Sequence, residues 1–255
     1  MTLLSVIVIT KNEEGNIGGC LESVKWASEV VVVDGGSTDK TVEMATALGA
    51  KVFVRPWEGY GAAKNFALTQ CSGQWILWLD ADERVTKDLA EEIQALVHQG
   101  DSAFAGYNVS RKAFFLGRWI KHCGWYPGYV VRLFRRQAGK FTEEKVHERL
   151  EVSGRIGRLQ SHLLHYTDPS LSHYFAKFNK YTSLAAEELT HQGQRFEIGQ
   201  LIVRPIWVFF KMYVIRRGFL DGIQGFILCV LSSCYVFTKY AKLWEVSADR
   251  ERSNA

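Results

Sequence analysis

Through its first hundred residues the chain alternates short apolar runs with segments of helical pattern, and that alternation constrains the fold most. Leu3–Thr10 (LLSVIVIT), Val30–Val33, Lys51–Val54 and Trp75–Leu79 (WILWL) read as strands, the first two as buried ones. Between and after them lie helical segments: Glu13 to Val24 with Asn12 as cap, then Thr38 or Asp39 to Leu48, then Ala62–Gln70 and Lys87–His98. Such alternation means crossover units, hence an α/β fold with a mainly parallel sheet flanked by helices.

Beyond Gly100 the pattern weakens. Tyr107–Arg111 and Val130–Phe134 read as strands, with the basic and aromatic stretch RKAFFLGRWIKHCGWYPG between them. From about Ser170 the chain reads helical. Gln200–Glu245 is dominated by aromatics and aliphatics, with Arg204, Lys211, Arg216, Arg217, Lys239 and Lys242 set against Asp221 and Glu245. Its longest weakly charged run, Gly218–Thr238, contains Asp221 and Gln224, which a lone spanning helix tolerates poorly. The composition favours helices lying in a membrane interface; packing on protein and a true span are the alternatives.

Bulk numbers exclude some classes. The net charge of +4 does not mark a nucleic-acid binder. The five cysteines form no CxxC pair and read as reduced thiols rather than a disulfide frame or zinc site. The start runs directly into a strand, so no signal peptide is expected. No HExxH or GxxxxGK[ST] occurs, which argues against a zinc hydrolase or a Walker-type loop.

In an open parallel sheet, ligands bind beyond the carboxyl ends of the strands. Thr10, Asn12, Glu13, Asp34 and the run Asp80-Ala81-Asp82-Glu83 all fall at such ends. An Asp-x-Asp there can present two carboxylates to a hard cation such as Mg²⁺ or Mn²⁺ that bridges to a substrate phosphate. A bare pair of this kind is often only a solvated loop; Asp34 and Glu13 on the same rim favour function.

VIVITKNEE, VVVDGGSTDKT, GYGAAKNFAL and WILWLDADE, in this order, resemble family 2 glycosyltransferases of the GT-A (Rossmann-like) fold. KVHERL, CGWYPGYVVRLFRR and LDGIQGFILCVLSSCYVFTKYAKL resemble a narrower group, the bacterial lipopolysaccharide inner-core β-1,4-glucosyltransferases. The resemblance implies a UDP-sugar donor, a divalent metal, inversion at the anomeric carbon, and a heptose of a lipid-anchored core oligosaccharide as acceptor. It implies a glycosyltransferase domain over residues 1–190, with a nucleotide-sugar half (1–100) and an acceptor half (101–165), then a helical segment over 191–255. That segment would rest on the cytoplasmic face of the bacterial inner membrane as a peripheral or monotopic anchor; oligomeric state is left open.

Carried over residue by residue, Asp82 is the metal ligand and Asp80 faces the donor ribose or sugar. Asp34 accepts from the uracil or ribose, Thr10, Asn12 and Glu13 border the nucleoside, and Lys64 stands near the diphosphate. The family commonly reads DDGSTD, and here Gly35 replaces an acid. An attacking hydroxyl needs a base from outside this rim. The VHE pattern points to Glu148, with His147, Glu143 and Glu144 as competitors. His162 and His165 read as packed or surface residues, with a metal or phosphate contact as the alternative. Trp119, Trp125, Tyr126 and Tyr129 suit either sugar stacking or core. Arg132, Arg135 and Arg136 suit a phosphorylated acceptor, solvent or anionic lipid.

Rival readings are transfer onto polyprenyl phosphate or a capsule intermediate, a nucleotidyltransferase, and a non-catalytic nucleotide-sugar-binding scaffold.

Overall fold

The computed structural model describes residues 3–99, 103–142, 149–194 and 196–253. Its first strand, β1 (Leu4–Thr10), is buried from end to end. It pairs in parallel with β2 (Glu29–Asp34) on one side and β4 (Trp75–Asp80) on the other, and β3 (Lys51–Val54) adds in parallel beyond β2. Helices α1 (Glu14–Glu22), α2 (Thr41–Ala47) and α3 (Tyr60–Gln70) make the crossovers. The order β3-β2-β1-β4 makes the connection reverse between β1 and β4. Such a switch point opens a crevice at the strands' carboxyl ends.

Because side chains alternate across a strand, one core cannot serve both faces. Val6, Val8, Val32, Leu77 and Leu79 pack against Ile17 and Cys20 of α1 and against α4 (Lys87–His98). Ile7, Ile9, Val31, Val33 and Ile76 pack on the other face with Ala67 of α3. Thr86 caps α4 by accepting from Leu89 N at 3.3 Å, and its own hydroxyl donates to His162 O at 2.9 Å.

The remaining strands are β5 (Glu83–Val85), β6 (Gly106–Phe115), β7 (Arg118–Trp119), β8 (Gly128–Arg135), β9 (Gly139–Phe141), β10 (Leu150–Val152) and β11 (Ile156–Asp168); β9 and β10 pair antiparallel in a small sheet of their own, and the others make the main sheet mixed. The order continues β4-β8-β6-β11-β5, with β8 antiparallel to β4 and to β6, and β5 antiparallel to β11. β5, β9, β10 and β11 are absent from the sequence reading. Three of them are only three residues long, too short to show a period. β11 keeps most of its residues half-exposed and so lacks a clean apolar alternation.

Two predicted caps are corrected. Glu13, not Asn12, stands at the start of α1, and Asn12 takes the left-handed conformation at φ 55°. Lys40 precedes α2, while Asp39 accepts from Thr41 N at 3.0 Å.

The chain forms two compact units: Met1–Lys112 with Gly128–His165, and Ala113–Pro127 with Tyr166–Ala255. Within the second unit, α5 (Leu171–His191) and α6 (Ile198–Phe210) both pack on α7 (Gly222–Ser253). Lys242 on α7 donates to Asn179 O, Thr182 Oγ1 and Ser183 Oγ on α5 within 3.0 Å. Phe115, Ile120, Cys123, Leu228 and Cys229 form this unit's small core. Ile198–Ile215 and Gly218–Ala248 are long and apolar enough to cross a membrane by length and composition, and only 6% and 28% of their apolar windows is buried. All five cysteines are free.

Candidate active site

Strand register assembles the rim. Thr10 lies across from Asp34, and Ile9 across from Asp80, so the polar ends of β1, β2 and β4 meet at the switch point. Thr10 is buried, and its hydroxyl has no partner among the described residues.

Asp34 is wholly buried. Its Oδ1 accepts from Gly36 N at 2.9 Å and Ser37 N at 2.7 Å, and its Oδ2 accepts from the Ser37 hydroxyl. Gly36 has φ 83°, which lets the chain turn back over this carboxylate. The carboxylate expected to reach the nucleoside is therefore committed to three donors of its own turn. Asn12 ties the same turn to β1: its N–H donates to Ser37 Oγ at 2.7 Å, and its Oδ1 accepts from Thr38 N at 2.8 Å. Glu13 donates its N–H to Thr41 Oγ1 and accepts from Asn16 Nδ2 at 2.7 Å. A small cleft beside the turn is lined by Asp34, Gly35, Arg55, Trp57 and Ala63 among others. A Cβ at Gly35 would lie 2.5 Å from the Trp57 ring, so the glycine is what lets the indole sit there.

The three acids that end β4 have three different fates. Glu83 is buried; its Oε2 accepts from Asp80 N at 3.1 Å and its Oε1 from Arg132 Nη2 at 2.6 Å, with Arg111 at 3.6 Å. The same Arg132 nitrogen donates to Asp80 Oδ2 at 2.6 Å. The guanidinium lies 3.4 Å over the Trp78 ring, a stacking geometry that only arginine supplies. Arg132 Nε and Nη1 are buried without a partner among the described residues. Burial works against the charged form of Asp80, but Arg132 and then Lys64 outweigh it and hold the carboxyl below its usual range. Burial, aided by the charge on Asp80, pushes Glu83 up against the pull of Arg132.

Asp82 is the acid left open to a ligand. Its Oδ1 is buried with no partner among the described residues, and its Oδ2 is 3.4 Å from His165 Nε2. The β5–β11 register puts His165 directly across from Glu83 and so beside Asp82. No three His, Cys, Asp or Glu side chains converge to hold a metal among the described residues. One carboxylate with an orphaned oxygen and one imidazole fit a divalent cation that takes its remaining ligands from substrate phosphate.

Lys64 is buried on α3 with Nζ 4.0 Å over the Trp78 ring, so Trp78 carries Lys64 and Arg132. Next to it, Asn65 exchanges two hydrogen bonds with the Phe141 backbone, at 2.8 and 3.0 Å. This clamp fixes β9, just ahead of Glu143, Glu144, His147 and Glu148, which lie outside the described residues.

The sequence reading missed Asn65, the bracing of Asp80 and Glu83 by Arg132, and the pairing of His165 with Asp82. Arg132, read as suiting a phosphorylated acceptor, solvent or anionic lipid, braces the acids, and Arg135 stacks 4.7 Å over Trp75 at the opposite end of β4. The LFRR pattern after Arg132 looks like a surface patch; only the β4–β8 pairing turns one of its arginines inward. Trp125 packs on the Cys123 core, Trp119 and Tyr126 pack edge to face at 5.3 Å, and Tyr129 lies under Arg158 at 4.0 Å.

The model of the family "Glycosyl transferase family 2" matches residues 5–161. An uncharacterised glycosyltransferase of Rickettsia typhi is 35% identical, the match covering 97% of this chain and 88% of that one. The lipopolysaccharide core biosynthesis glycosyltransferase LpsC of Rhizobium meliloti is 33% identical over 98% of this chain and 95% of its own. Among solved structures, S. aureus TarS 1–349 in complex with UDP-GlcNAc is similar at a TM-score of 0.47 and 16% identity, covering 98% of this chain and 92% of that one. A strand-end rim of this kind, inside a family match that spans more than half of the chain, identifies it as a glycosyltransferase belonging to glycosyl transferase family 2.

Proposed function

We propose that the protein transfers a hexose, glucose from UDP-glucose, with inversion onto a heptose of the lipopolysaccharide inner core at the cytoplasmic face of the membrane. The observation that carries this reading is the open edge of the rim: Asp82 and His165 face a place where a diphosphate-bound cation fits, with Lys64 and Trp78 beside it. The likeness to LpsC over nearly the whole chain supports the acceptor class.

Asp82 and His165 would hold the divalent cation, Mg²⁺ or Mn²⁺. When bound, that cation supplies positive charge against the departing diphosphate. Lys64 adds a fixed positive charge on the same side. Asp80, kept ionised by Arg132, presents its free oxygen as an acceptor for a donor hydroxyl; its side chain is 40% exposed. The Asp34 turn floors the nucleoside cleft, with Thr10, Asn12 and Glu13 along its edge. Glu148 takes the proton from the attacking hydroxyl. The apolar helices hold the enzyme at the bilayer, where a lipid-anchored acceptor presents its sugar.

The test is acceptor-dependent UDP release from UDP-glucose with truncated inner-core lipopolysaccharide. Wild type releases UDP only with cation and acceptor present, and Asp82→Ala and Glu148→Gln fall by at least about a hundredfold. Full activity of Glu148→Gln would transfer the base role to another residue. Release of pyrophosphate, or none with any acceptor, would overturn the transferase assignment to this substrate class.

A further inference from the structure

Between α6 and α7 the chain carries a feature that sugar transfer does not use. α6 widens into a single π-turn, Lys211–Ile215, closed by a bond from Arg216 N to Lys211 O at 2.8 Å. Such turns are rare and concentrate at functional positions. This one brings Lys211 and Arg216, at its two ends, to the wall of the same cleft, about 350 Å³ in volume. Val208 and Met212 supply its apolar wall, and Cys123 and Gly124 close the other side. Cys123 N donates to Arg216 O at 3.1 Å, which fixes the mouth. Gly124, at φ 83°, keeps the space in front of the Arg216 stem open: a Cβ there would stand 3.7 Å from Cγ.

No acid lines this cleft among the described residues. Asp221, an acid of the same unit, is buried, and its oxygens accept from Lys121 N, His122 N and the His122 ring. Neither Lys211 nor Arg216 enters an ion pair among the described residues. The cations border an uncovered apolar face, on which Ile206 is 65% and Trp207 53% exposed, continued by Phe210, Val214 and Ile215. A free anion would meet only the charges. A lipid meets both parts: its phosphate the ammonium and guanidinium, its acyl chains the apolar face.

We propose that this cleft binds the phosphate of an anionic glycerophospholipid in the bilayer surface. The proposal rests on the reading of α6 and α7 as interfacial helices, and the experiment separates the two. Full-length protein is floated with phosphatidylcholine vesicles made with or without phosphatidylglycerol. Wild type prefers the anionic vesicles by about tenfold, in line with two cations near an anionic surface. Lys211→Gln/Arg216→Gln abolishes the preference but keeps binding to phosphatidylcholine. Lys87→Gln/Lys140→Gln, with the same change in net charge, keeps the preference. Ile206→Ser/Trp207→Ser loses binding to both vesicles. Inorganic phosphate reduces the preference more than chloride at equal ionic strength. A wild-type preference in Lys211→Gln/Arg216→Gln, an equal loss in Lys87→Gln/Lys140→Gln, or equal effects of phosphate and chloride overturns the headgroup site alone. Absence of wild-type protein from both vesicle fractions overturns the interfacial reading and the site with it.

Discussion

Arg132 has the largest structural burden of any single residue in the rim. It neutralises Glu83, orients Asp80 and covers Trp78 at once. Arg132→Met leaves the buried Glu83 carboxylate only Arg111, at 3.6 Å, as a counter-charge and lowers stability by about 3 kcal/mol, read as a shift in urea midpoint. Arg132→Lys keeps the charge but not the stack or the shared nitrogen; it loses less stability and still loses activity. His165→Ala raises the cation concentration needed for half-maximal activity by about tenfold or more and leaves cation-free nucleotide binding unchanged, measured by calorimetry. At Gly35, restoring the acid common in the family is predicted to harm. Gly35→Asp must displace the Trp57 ring, so UDP binds more weakly; tighter binding would show that the indole swings aside at no cost.

At the scale of elements, the mount was legible and its bracing was not. Parallel strands buried on both faces are near-continuous apolar runs, so β1, β2 and β4 stand out, and their polar ends mark the rim. The braces come from antiparallel strands: Arg132 from β8 and His165 from β11, each brought in by pairing with distant residues. A side chain's partner across a ladder depends on register, which an isolated arginine or histidine does not reveal. The opposite end of the sheet has its own tie. Glu29 on β2 accepts from Lys51 on β3, Ser5 on β1 and Ser72. Burial raises its pKa, but these hydrogen bonds, that from Lys51 first, more than offset it and bring it down to about 2. A carboxyl lowered on folding stabilises above its unfolded pKa, so this contribution, about 2–3 kcal/mol, is present near pH 5 and is lost as pH falls toward 2. Glu29→Gln therefore lowers stability at neutral pH and flattens its acid dependence over that window, measured by urea unfolding at several pH values.

At the scale of the molecule, composition disclosed an apolar C-terminal region, whereas α5 carries no apolar run and takes its place in the second unit by packing on α7 and, through Tyr174, on Phe115. Exposed apolar residues along α6 and α7 predict that the protein sediments as large assemblies in buffer without detergent. Ile202→Glu/Ile206→Glu shifts it toward a monodisperse species in sedimentation velocity, without loss of the sheet by circular dichroism. The order of the parts along the chain has a further consequence during synthesis. Asp80, Asp82 and Glu83 leave the ribosome well before Arg132, and Arg132 before His165. Until β8 emerges, Asp80 and Glu83 lack the shared Arg132 guanidinium, and the nascent chain holds its rim unfinished. The residue facing Asp82 is also the last of the first unit, and the helices that seek apolar surroundings follow only afterwards. Translation order thus brings the rim's residues together before the long apolar helices exist.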